Sequence, residues 1–169
     1  MYDELTEVDI RKMEEEISYR TAVLRPKLIE DVQIARGFGD LSENFEYKCA
    51  KRDKNRNDSR IRYLQKMIQT AKIIRPDAAD TADGAGLFDT VVIVPAPTGV
   101  PQTIRIVTTL RQDALKGLVS KESPVAKAVL GHRAGEIVHV DLGEGRGYEL
   151  TIQSVEKGTD DPSLDISGY

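Results

Sequence analysis

The sequence predicts an α+β chain: a long antiparallel α-helical coiled-coil hairpin, then a small antiparallel β-sheet domain with one short helix. Apolar residues recur at helical spacing over most of residues 7–74, and beyond residue 87 the pattern becomes strand-like. Charge divides at the same place. Residues 1–75 carry 16 Lys/Arg against 14 Asp/Glu, a net of +2, and residues 76–169 carry 8 against 14, a net of −6, which together make the chain's −4. The expected boundaries are a hairpin over 1–76 with its tip at 37–47, a linker over 77–86, a sheet domain over 87–157 and a mobile tail over 158–169.

The first helix is expected over 7–36, where Ile10, Met13, Ile17, Leu24, Leu28 and Ala35 form a seam with charges between them. Pro26 removes one backbone hydrogen bond and should bend it. After the Gly37-Phe38-Gly39 break, a second helix is expected from about Asp40 to Ile74, with Ile61, Leu64, Ile68 and Ala71 on its apolar face. So short a connection forces the helices antiparallel. Arms of about 30 residues would project on the order of 45 Å.

Pro76 should end the second helix, and DAADTADGAG (77–86) reads as a linker. LFDTVVIV (87–94), TIRIV (103–107), VHVDL (138–142) and GYELTIQSV (147–155) read as strands, the last two joined by a Gly-rich turn. Between the pairs, Ser123 suits an N-cap, Pro124 the first helical position and Gly131 the stop of one short helix. The ending KGTDDPSLDISGY has no periodicity.

At the tip, three carboxylates (Asp40, Glu43, Glu46) precede a run of bases: Lys48, Lys51, Arg52, Lys54, Arg56, Arg60, Arg62 and Lys66, eight in 19 residues against only Asp53 and Asp58. Asp40-Leu-Ser-Glu43 has the form of a capping box, which explains acids at a helix start. Capping does not explain the change of sign behind it. A stretch this basic repels itself and should face an anion such as a phosphate backbone, although a solvated face paired with the acids of the first helix explains part of it. Acids on a tip ahead of a phosphate-attracting shaft suggest metal chemistry on nucleic acid. Two carboxylates hold Mg²⁺ weakly alone, so the tip should bind no metal stably by itself and would supplement a site belonging to another protein.

The segment Ala35-Arg36-Gly37-Phe38-Gly39-Asp40-Leu41-Ser42-Glu43-Asn44-Phe45-Glu46-Tyr47 closely resembles the tip signature of the GreA/GreB family of bacterial transcript cleavage factors, and SPVAKAVLGHRAGEIVHV resembles that family's second motif. The resemblance covers about residues 5–156. It implies an FKBP-like C-terminal domain and RNA polymerase as partner, with the coiled coil entering the secondary channel and the C-terminal domain docking near its rim. It further implies that Asp40 and Glu43 help hold a Mg²⁺ ion shared with the polymerase active site, which then cleaves the 3′ segment of backtracked nascent RNA. The chain itself would be an accessory factor without a cofactor of its own, and a monomer. Ser42, Asn44, Phe45 and Tyr47 would shape the tip. Lys48, Lys51, Arg52, Lys54 and Arg56 would meet RNA or channel walls, and Ser123 and Pro124 would lie nearest the polymerase. Three features depart from the family pattern: Phe45 stands where a small residue is usual, Asp9 where Gly is expected, and the tail past Lys157 is extra.

Two alternatives stay open. One is a non-cleaving occupant of the same channel, against which the retained Asp40 and Glu43 speak. The other is a prolyl isomerase, against which the scarcity of aromatics speaks: Phe88, Tyr148 and Tyr169 alone in that half. No apolar run approaches the roughly 20 residues that cross a bilayer, and the acidic start lacks a basic-then-apolar signal region. A cytoplasmic protein away from membranes is expected. The single Cys49 forms no internal disulfide.

Overall fold

Residues 3–40, 43–76 and 83–168 are described by a computed structural model. It divides into one unit of residues 10–71 and another that joins 3–9 to 72–168.

In the first unit, the leading apolar seam forms α1 (Glu7–Tyr19), a π-helical turn (Arg20–Leu24) and α2 (Arg25–Arg36). The π turn falls just ahead of Pro26, which lacks an N–H and crowds the carbonyl four residues back. The chain widens by one residue there, so that Arg25 N–H donates to the carbonyl of Arg20. The helix is thus rewound at Pro26, and the continuous run expected over 7–36 is interrupted.

The return arm is α3 (Phe45–Thr70), which begins later and ends sooner than expected. Every seam position, from Ile10 to Ala35 and from Ile61 to Ala71, is buried or half-buried. The middle of the hairpin, however, is polar. Arg60 donates two hydrogen bonds to the Glu16 carboxylate (2.9 and 3.2 Å), and Arg20 donates to the same group at 2.7 Å. The Arg20 guanidinium also reaches Asn57 Oδ1 (3.0 Å), whose Nδ2 donates to the Arg20 carbonyl at 3.3 Å. Burial pushes the Glu16 carboxyl up, but the bonds from Arg60 and Arg20 outweigh it and hold its pKa below the ordinary 4.5.

In the second unit, β1 (Glu4–Leu5) pairs in parallel with β2 (Lys72–Ile73). A five-stranded sheet runs in the order β5-β4-β3-β7-β6, built from β3 (Thr90–Pro95), β4 (Gln102–Val107), β5 (Leu118–Ser120), β6 (Ile137–Gly143) and β7 (Arg146–Glu156). It is antiparallel except for β4 and β5, which run parallel because two short 3₁₀ turns (Thr109–Arg111, Ala114–Lys116) carry the chain back. Alternating residues of the strands (Val91, Ile93, Ile104, Ile106, Val138, Val140, Leu150, Ile152) bury one face against Ala126 and Val129 of α4 (Pro124–Val129). Phe88 is also buried, beneath the guanidinium of Arg111 at 5.1 Å, so it lines no proline pocket.

Two expectations need correction. Of the expected linker, 77–82 lie outside the described residues, but Ala85 is a core residue whose N–H and C=O bond His132 and Gly131. Residues 158–168, expected to be mobile, run along the unit. Arg105 holds the Thr159 carbonyl (3.0 Å), Ser167 Oγ donates to the Leu110 carbonyl (2.7 Å), and Leu164 packs near Phe88. Arg111, fully buried, pairs with Asp160 (2.6 Å) and Asp9 (2.5 Å). Burial lowers its pKa, but the hydrogen bonds it donates to Asp160 and Asp9 outweigh this and raise it. Asp9 also closes a capping box with Thr6, accepting from the Thr6 N–H at 3.0 Å. The departure at position 9 therefore has a structural use.

Candidate functional site

The tip is set by Asn44. Its backbone is extended (φ −79°, ψ 97°), its Oδ1 accepts from the Tyr47 N–H at 2.9 Å, and its Nδ2 donates to the Ala35 carbonyl at 2.6 Å. One amide thus caps α3 and ties its start to the last turn of α2. The capping-box reading of Asp40-x-x-Glu43 is overturned: Asn44 caps the helix four residues later, which leaves both acids ahead of the first turn. Gly39, at φ +133°, reverses the chain in a conformation that a side chain would oppose. Ser42, expected to shape the tip, lies outside the described residues.

Asp40, Glu43, Asn44 and Glu46 line a shallow concavity of about 580 Å³ together with two aromatic side chains, Phe38 and Phe45. The three acids are exposed. Among the described residues no group of three His, Cys, Asp or Glu converges closely enough to hold a metal ion. Glu46 was not assigned a role from the sequence, although its place one turn beyond Glu43 could have marked it. Tyr47 lies under two cations, Arg36 at 5.6 Å and Lys51 at 6.0 Å from its ring centre. A hydrogen bond with Arg36 and the charges of Lys51 and Arg36 bring its phenol below the ordinary value.

Behind the tip, four of the five bases assigned to nucleic-acid or channel contact share a groove. Lys48, Lys51, Arg52 and Arg56, with Asn55 and Ser59, line an open concavity of about 410 Å³ along α3. Lys54 points elsewhere and pairs with Asp58 at 3.1 Å, and Asp58 also pairs with Arg25 at 2.9 Å. Arg60 is consumed in the hairpin interior. The basic run therefore splits into a groove and a seam, as a 3.6-residue period requires.

Ser123 and Pro124 open α4, as the sequence indicates. Ser123 Oγ accepts from the Ala126 N–H at 3.1 Å, and Pro124 is exposed at the helix start.

Comparison with known proteins gives matches in both halves of the chain. A family profile described as "Transcription elongation factor, N-terminal" matches residues 4–73, and one described as "Transcription elongation factor, GreA/GreB, C-term" matches 79–157. The chain is 39% identical over 152 residues to the transcription elongation factor GreA of Bacillus licheniformis, covering 90% of this chain and 94% of that protein. It is also 39% identical over 151 residues to GreA of Geobacillus kaustophilus, covering 89% and 93%. Among solved structures, GreA factor homolog 1 (Gfh1) of Thermus thermophilus aligns over 93% of this chain and all of its own, at 19% identity and a TM-score of 0.42, a likeness too slight to decide anything.

Proposed function

The chain belongs to the GreA/GreB family of transcription elongation factors, and on that premise we propose that it enters the secondary channel of RNA polymerase and presents Asp40 and Glu43 to the active site. It is an elongation factor that stimulates transcript cleavage, an accessory protein to the polymerase and not an enzyme itself. A Mg²⁺ ion shared with the polymerase would supply an activated water for cleavage of the RNA 3′ segment, and Asp40 and Glu43 are the side chains that would help hold it. Asn44 and Gly39 keep the acids forward of α3, and the groove of Lys48, Lys51, Arg52 and Arg56 attracts phosphates or the anionic lining met on entry. Exposed Pro124, with Ser123 capping its helix, would dock near the channel rim. We place the factor in the cytoplasm as a monomer.

The observation that carries this reading is the concavity at the tip, with its acids ahead of the helix cap and a basic groove behind. The decisive test is Asp40→Asn with Glu43→Gln in a purified backtracked complex. Because Asn44 holds the cap, the double variant should keep its helix content and its polymerase binding while losing stimulated cleavage. Full cleavage by that variant would sink the proposal. A wild-type protein that binds without stimulating cleavage would favour the non-cleaving alternative.

A further inference from the structure

Phe38 and Phe45 are 67% and 76% exposed, yet both line the acidic concavity at the tip. Two large apolar rings left open to water need an occupant. Phe45 also begins the stripe that the basic groove follows. Positions 45, 48, 52 and 55–56 succeed one another at steps of three and four, so Phe45, Lys48, Arg52 and Arg56 share one face of α3. Over those residues the helix rises about 16 Å, with cations along the shaft and an aromatic ring at its end.

The charge pattern selects the occupant. A phosphate would be repelled from a concavity lined by Asp40, Glu43 and Glu46 but attracted to the groove behind it. The species that fits both is single-stranded nucleic acid whose phosphates follow Lys48, Arg52 and Arg56 while a base, uncharged and flat, covers Phe45. A cationic groove ending in an aromatic platform is the pattern by which proteins hold single strands without reading sequence.

We infer that Phe45, with Phe38 beside it, is a stacking platform for the first extruded nucleobase of the RNA 3′ segment, and that it holds the strand at the tip by this base while the phosphates keep to the groove. The inference rests on the proposed function and adds a positioning residue to it. It also accounts for a bulky residue where the family usually has a small one: a ring at position 45 holds the nucleotide by its base as well as by its backbone.

The test uses the whole chain with a polymerase complex backtracked by one nucleotide, whose RNA ends in 2-aminopurine, a fluorescent base quenched by stacking. Fluorescence is read without Mg²⁺, so that the transcript stays whole. Wild-type protein should quench it. Phe45→Leu, at an exposed position where folding is not at risk, should abolish the quench and raise the half-saturating concentration about tenfold, roughly 1.4 kcal/mol. Phe45→Trp should restore both. On a complex whose terminal nucleotide lacks a base, wild type and Phe45→Leu should bind alike. Equal weakening of Phe45→Leu with and without the terminal base would show that Phe45 packs on polymerase protein, and would overturn the inference. So would a quench that survives in Phe45→Leu. Because the quench is read without cleavage, a factor that quenches through Phe45 yet stimulates no cleavage with Mg²⁺ would count against the proposed function while upholding the platform.

Discussion

The core of the five-stranded sheet and the middle of the hairpin bury opposite kinds of residue, although the sheet unit also encloses the pairs of Arg111 with Asp9 and Asp160. The sheet unit closes over Val91, Ile93, Ile106, Val140, Leu150 and Ile152, all apolar. At the middle of the hairpin, buried or half-buried positions are Glu16, Arg20, Asn57 and Arg60, joined by directional hydrogen bonds. Apolar burial is strong but tolerant of sliding, whereas an ion pair with fixed geometry holds only one register. A sheet has its ladder hydrogen bonds to set register, but two helices have none between them. The difference suggests that the polar middle specifies which turn of α1 faces which turn of α3, and so where the tip residues end up. The sheet unit, with an apolar core, supplies stability of the ordinary kind.

The contrast can be broken or sharpened by substitution. The largest effect is expected from Ile152→Ala, which leaves a cavity in a fully buried site and should cost the sheet unit about 3 kcal/mol in denaturant unfolding. A hairpin that unfolds along with it would show that the two units do not melt separately. Next comes Arg60→Ala, which strands the Glu16 carboxylate and should cost the hairpin about 2 kcal/mol, read from helical circular dichroism. The sharper form is Arg60→Leu with Glu16→Leu, which should recover most of that stability yet slow stimulated cleavage, because register is lost. A double variant with wild-type activity would end the register argument.

Asn44→Ala removes the cap and the tie to Ala35 and should cost about 1 kcal/mol, with amide exchange rising first at Tyr47. The smallest effect is a pH dependence. The Glu16 carboxyl titrates below its ordinary 4.5 in the folded hairpin, so its contribution is complete above that pH and is lost as the pH falls through the folded value. The hairpin should therefore lose stability below about pH 4.5, and the Arg60→Leu with Glu16→Leu variant should not show that component.

Most of the architecture was legible because it rests on period: heptads for the hairpin, alternation for the strands, and Ser-Pro for α4. The tip acids and the basic run were legible as residue types in order. What could not be read was choice among equivalents. Asp40-x-x-Glu43 and Asn44 are both sound ways to start a helix, and only the geometry shows that Asn44 wins by also reaching Ala35. Eight bases within 19 residues look alike until Lys54 turns to Asp58 and Arg60 to Glu16. The docked tail was hidden for a similar reason. Its anchor is Arg111, a charged residue whose burial depends on Asp9 and Asp160, far away in sequence on either side. The parallel pairing of β5 depends on two 3₁₀ turns that have no strong signature.

The π turn at Arg20–Leu24 has a consequence for counting. It takes in an extra residue relative to the α-helix around it, and each α-helical residue turns the face by about 100°. The first arm is therefore two phases spliced together, and the splice lets the seam of α2 meet α3 after Pro26. Removing one residue between 20 and 24 would let the arm run as plain α-helix with Leu28 and Ala35 still on the seam, whereas rewinding the turn as α-helix with every residue kept would swing them off by about 100°. A single-residue gap there in an alignment would mark a plain helix that keeps the same face toward its partner.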